Sequence, residues 1–154
     1  MNLKNIRFFA WPLLLLALCG LCQCGSQNQV VAVTDDERAA FNSKAEDTVV
    51  IRSDKTEYEI IIIEPGFNAW LQSIARPPGY YSQRFLENRN YIWVTEWNNR
   101  VFQPNLYNPN LYELQIDYRQ NIDYGYEVNY KLYNYFIYFQ RRYNQRLGTF
   151  LPRL

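Results

Sequence analysis

The hydrophobic positions of this chain change rhythm several times. From Phe8 to Cys22 they are almost continuous, FFAWPLLLLALCGLC, behind a short lead carrying Lys4 and Arg7 and no acid. Polar residues then dominate to Asp47, with one candidate helical turn in DDERAAF. Beyond Thr48 two β-branched runs, TVVIRS and EYEIIIIEP, flank the polar connection SDKTE and predict a β-hairpin. Four consecutive isoleucines in the second run predict a strand buried on both faces or covered by helices. Pro65-Gly66 ends it.

After the hairpin the period lengthens to that of a helix. Phe67, Trp70, Leu71 and Ile74 share one helical face, and RPPGYY stops that helix because proline cannot continue it. Ser82 is a suitable N-cap for a long helix over QRFLENRNYIWVTEWNNRVF, whose stripe is Leu86, Trp93, Trp97 and Val101. PNLYNPNLY reads as two successive turns, with Leu106, Tyr107, Leu111 and Tyr112 packing inward. YELQIDY alternates as a third strand would. The stretch from Tyr124 to Leu147 fits both periods in part. Its length without a turn signal exceeds an ordinary strand, and Val128, Leu132, Tyr135, Phe139 and Tyr143 lie on one helical stripe, so a helix is expected with Gly148 as its stop. The predicted fold class is α+β: a small β-hairpin or short sheet covered by about three helices.

The leader decides where this domain resides. An apolar run of that length is short for a membrane span, which needs roughly 20 residues, and suits a secretory signal. All three cysteines, Cys19, Cys22 and Cys24, sit at its end, followed by GSQNQ. Cys19-x-x-Cys22-x-Cys24 lacks a histidine to complete a metal site, and a disulfide inside six residues would constrain almost nothing. An apolar run that ends at cysteine and turns to small polar residues resembles a bacterial lipoprotein signal. The resemblance implies lipidation at Cys24, with Cys19 and Cys22 as alternatives, and anchorage to a membrane. The chain then divides into a signal peptide (1–23), a polar tether (24–47), an α+β domain (48–148) and a C-terminal tail (149–154).

Composition narrows the chemistry. The 154 residues include no histidine, which removes imidazole metal sites, Ser-His-Asp and Cys-His nucleophiles and the commonest general base. No cofactor or metal motif is present. A formal net charge of +1 leaves no electrostatic footprint for nucleic acid. An enzyme here would have to work with carboxylates. Glu57 and Glu59 alternate along one run and read as a wet sheet edge, while Glu96 lies between Trp93 and Trp97 and has Arg100 as an i+4 partner.

Aromatic residues make up 18% of the chain, including 14 tyrosines, more than a core of this size needs. Exposed tyrosine and tryptophan give rigid amphipathic contact area. Tyr80, Tyr81, Trp93, Trp97, Tyr107 and Tyr112 are therefore the candidate binding residues, for an envelope protein or a glycan. The C-terminal QRRYNQRLGTFLPRL carries four arginines and no acid, a patch that reads first as neutralising the acidic N-terminal part or as solvated surface, and second as suited to an anionic surface.

The stretch NPNLYELQIDYRQNIDYGYEVNYKLYNYF resembles an uncharacterised family of small lipoproteins from Bacteroidota-type bacteria, with the likeness running over about Thr48 to Leu147. The resemblance implies a domain of unknown function and assigns no catalytic or ligand residue. Surface-exported lipoproteins of such bacteria tend to carry acids just after the cysteine. GSQNQ has none, which implies the periplasmic side of the outer membrane. The expectation is an envelope lipoprotein acting as a non-catalytic binding or scaffolding module; the alternative is a carboxylate-based hydrolase of envelope glycans.

Overall fold

The structure, a computed structural model, describes residues 32–43, 48–53 and 55–154. Cys19, Cys22 and Cys24, and with them the signal segment, lie outside the described residues.

Helix α1 (Asp35–Phe41) begins in a capping box. The Glu37 N–H donates to the Thr34 hydroxyl at 3.3 Å, and the Thr34 N–H donates to the Glu37 carboxylate at 3.0 Å. Three acids in its first turn complement the helix dipole. A helix this short does not persist alone in water, so docking must hold it. Glu37 is wholly buried and forms a bidentate ion pair with Arg141, while Trp70 Nε1–H donates to the same carboxylate at 3.4 Å. Part of the segment expected to be a tether is thus packed onto the domain.

Strands β1 (Thr48–Arg52) and β2 (Glu59–Ile63) pair antiparallel, in register from Thr48 opposite Ile63 to Arg52 opposite Glu59. One face of this hairpin lies on the helices through the fully buried Ile51. The other does not: Ile61 is 56% and Ile63 76% exposed, which corrects the expectation of a strand buried on both faces. Four isoleucines in a row are the mark of a two-sided strand only when a second layer exists. Among the described residues nothing lies over this face.

Helix α2 (Phe67–Ser73) starts at Gly66, whose φ of 85° is in the left-handed region. A side chain there would be strained, and its β-carbon would also run into the Ala40 carbonyl of α1. The glycine therefore sets both the turn out of β2 and the close approach of α1. Helix α3 (Gln83–Val101) has Ser82 as its N-cap, accepting from the Phe85 N–H at 3.3 Å.

Helix α4 (Tyr126–Arg142) is the axis of the fold. Twelve of its 17 residues are buried, against six of 19 in α3, so α4 is enclosed on most sides while α3 keeps one face in water. A helix enclosed this way must satisfy its polar groups internally. Asn90 of α3 donates to both the carbonyl and the side-chain oxygen of Asn129, at 2.9 and 3.2 Å. Gln140 accepts from the Leu147 N–H at 2.7 Å and so folds the tail back over the helix. The helix ends before Gly148: Tyr143 caps it and Asn144, with φ of 49°, takes the left-handed turn.

Two further expectations need correction. Residues 112–118 form no strand. Their backbone is held by side chains of α3: Asn98 donates to the Ile116 carbonyl and accepts from the Ile116 N–H, each at 2.9 Å, and Trp97 Nε1–H donates to the Leu114 carbonyl at 2.9 Å. A segment whose hydrogen bonds are met this way has no need of a ladder. Leu106, expected inside, is 75% exposed, whereas Tyr112 is buried; Leu114 is 78% exposed. The result is a small α+β fold with a two-stranded sheet and four helices among the described residues.

Candidate functional site

The hairpin carries an edge that no strand of the described residues occupies. Ser53 N–H donates to the Tyr58 carbonyl at 3.0 Å. Alternation along an antiparallel ladder then pairs Ile51 with Ile60 through hydrogen bonds and turns the backbone groups of Glu59, Ile61 and Ile63 off the outer edge of β2. Such an edge is a template for another extended chain.

Beside it runs a groove of about 560 Å³, bounded by β2 on one side and residues 110–117 on the other, with Trp97, Tyr135 and Phe139 in its lining. Ile61, Ile63 and Leu114 give it apolar borders. Four carboxylates line it as well: Glu59, Glu64, Glu113 and Asp117. Three of them are partly neutralised. Arg52 Nε reaches Glu59 at 2.9 Å, Arg119 grips Asp117 at 3.0 and 3.2 Å, and Glu64 accepts from the Tyr143 hydroxyl at 2.6 Å with Arg142 at 3.6 Å. Glu113 has no ion pair among the described residues.

The tyrosines of this groove are held neutral. Burial and then the neighbouring Glu64 push the Tyr143 hydroxyl up to about 12, and the same two causes raise that of Tyr135. Burial likewise raises Tyr58, whose hydroxyl has no hydrogen-bond partner among the described residues. These hydroxyls are donors at neutral pH, not bases.

The six aromatic candidates are scattered. Trp97 is 6% exposed and forms floor, not platform. Tyr107 and Tyr112 enclose Arg100: its guanidinium stands 4.7 Å from the Tyr107 ring centroid, and its Nη1 donates to the Tyr112 hydroxyl at 2.7 Å. Trp93 is buried against Tyr133. Only Tyr80 is well exposed, at 57%, and its ring meets that of the half-buried Tyr81 edge-on at 4.7 Å. Trp93, Trp97 and Tyr112 are therefore core residues first, because the enclosed α4 needs large rings around it.

Glu96 is taken by Arg100, with Nη2 at 2.8 Å and Nε at 2.9 Å, and lines neither this groove nor the second one described below. Glu57 is exposed in the turn before β2. Among the described residues no group of three or more Asp, Glu or Cys side chains is placed to hold a metal ion, and no helix is long and apolar enough to cross a membrane.

The features that make the groove were hidden from a linear reading. Glu64 and Glu113 lie 49 positions apart in sequence and meet only because residues 110–117 are strapped to α3. The exposed isoleucines were legible as apolar but not as unpartnered.

No curated protein and no solved structure matches the chain. One family model does match, and its span of residues 13–151 takes in the hairpin, the four helices of the described residues and the strapped segment together: the chain belongs to a family of unknown function (DUF6146).

Proposed function

We propose that the protein is a non-catalytic binding module of the bacterial cell envelope, a lipoprotein anchored through Cys24 whose domain faces the periplasm. The leader pattern supports the anchor: a basic lead, an apolar run and a cysteine followed by small polar residues. The domain binds an extended polypeptide segment of another envelope protein by adding it as a strand to β2. The observation that carries this reading is the unpaired outer edge of β2 beside a groove with apolar borders. Backbone groups of Glu59, Ile61 and Ile63 supply the ladder, Ile61, Ile63 and Leu114 take alternate apolar side chains, and Glu113, which has no ion pair among the described residues, selects a segment bearing lysine or arginine.

A carboxylate-based hydrolase of envelope glycans is the second reading, because two carboxylates at about 5 to 9.5 Å suffice for glycoside hydrolysis. It fits less well, since three of the four acids in the groove already hold partners.

Titration calorimetry on the full chain tests the strand-addition reading with a ten-residue peptide alternating valine with lysine and threonine. Methylating the backbone nitrogens on one edge of that peptide should weaken binding at least tenfold, and Ile61→Asp should do the same. Equal binding of the methylated peptide, or release of reducing sugar from envelope glycan, would overturn the reading. Incorporation of labelled palmitate that is lost in Cys24→Ala tests the anchor separately.

A further inference from the structure

A second groove, of about 380 Å³, opens between the N-terminal half of α3, Tyr133 of α4 and the tail around Phe150. Its chemistry is opposite to the first. Two arginines, Arg89 and Arg153, line it, and none of the lining residues is acidic. Arg89 is half-buried, with its guanidinium 3.3 Å from the Phe150 ring centroid and 5.3 Å from that of Phe85. Ring faces take up the faces of a guanidinium. Its N–H groups lie in the plane and still require acceptors. Among the described residues Arg89 donates no hydrogen bond and has no ion pair, and the same is true of the Arg153 side chain. The terminal Leu154 oxygen does not serve them, being engaged by Arg76 at 3.3 Å.

A half-buried cation held between rings, with its donors unspent, is poised for an anion. The surroundings specify the rest. Tyr81, Tyr133, Phe85 and Phe150 give the groove aromatic walls, and Trp93 closes its floor. We propose that this groove is a binding site for a small ring-bearing anion, whose carboxylate or sulfonate meets Arg89 and Arg153 while its ring rests against the aromatic walls. Arg89 gives the bidentate contact, and Arg153, exposed on the tail, adds long-range attraction. Recession of Arg89 within a concave wall favours a discrete small ligand over a flat anionic bilayer, which would be met by projecting side chains.

The test compares 1-naphthoate with uncharged 1-naphthalenemethanol by titration calorimetry on the full chain in neutral detergent, with detergent blanks. The acid should bind at least tenfold tighter than the alcohol, and high salt should erode that difference. Arg89→Met keeps the apolar stem and removes the charge, so it should abolish the preference for the acid over the alcohol. Arg84→Met, on the exposed face of the same helix, should retain it in full. If Arg89→Met loses its helical circular dichroism, Arg153→Met replaces it, with at least a threefold loss expected. Equal affinity for acid and alcohol, a preference that survives removal of the charge, or capture by phosphatidylglycerol vesicles that naphthoate does not reverse would each overturn the proposal.

Discussion

The two grooves differ in where their charges are spent. In the acidic groove beside β2, Glu59, Glu64 and Asp117 are each engaged by a neighbour, and what is left unmet among the described residues is the Glu113 carboxylate, the Tyr58 hydroxyl and the backbone row of a strand edge. In the basic groove the walls are two helices and the tail, and the groups left without an acceptor among the described residues are the guanidinium of Arg89 and the indole N–H of Trp93. Unmet hydrogen-bonding capacity is a better guide to a partner's chemistry than the sign of the lining charge. The first groove asks for a polypeptide backbone, the second for an oxyanion.

The largest expected effect separates the two grooves physically. Arg141 pairs with Glu37 and also donates to the carbonyls of Pro152 and Ala32, at 3.1 and 3.0 Å, so it ties α1 and the tail to α4. Arg141→Leu leaves a buried carboxylate unpaired and should cost about 3–5 kcal/mol in urea unfolding. Because Phe150 and Arg153 ride on that tail, naphthoate binding should be lost with it, while peptide binding at β2 survives. Loss of both together would break the distinction between the grooves.

Acid should expose the same pair. Burial alone would raise the Glu37 carboxyl, but the Arg141 hydrogen bonds, helped by Thr34 and Trp70, hold it below the usual 4.5. A group whose pKa is depressed by folding contributes fully above its unfolded value, and that contribution disappears as pH falls through the folded one. Urea midpoints should therefore fall more between pH 6 and pH 3 for the native chain than for Glu37→Gln, which begins lower and lacks this component.

A smaller effect should fall on the acidic groove alone. Asn98→Ala strips the Ile116 N–H and carbonyl of their partner, and about 1–3 kcal/mol of stability should go with it. Residues 110–117 then lose their strap, so peptide affinity should drop while naphthoate affinity holds. Smallest of all in stability is Ile61→Thr, on the exposed face of β2, which should change unfolding by no more than about 0.5 kcal/mol yet weaken peptide binding severalfold.

Much of the fold was legible because its signals are local. Ser82 marked the start of α3, Pro65-Gly66 the end of the hairpin, and a helical stripe chose helix over strand for α4. The misreadings all concern what an element meets. YELQIDY has strand rhythm, but Asn98 and Trp97 took its hydrogen bonds. Trp93 and Trp97 looked like contact residues, and the enclosed α4 drew them inward. Glu37 caps its own short helix. Its second role, as counter-ion to Arg141 at a separation of 104 residues, carries no sequence signal.

By itself the sequence determined the hairpin, the helices and the start of α3, and it excluded imidazole chemistry, since capping, periodicity and composition act over a few residues or none. Tertiary structure decided which faces would be covered, which strand edge would stay open and which arginine would be held between aromatic rings with no acid beside it. Those outcomes depend on surfaces brought together from distant parts of the chain, where burial turns an unmet donor or acceptor from a trivial matter in water into a demand on a partner.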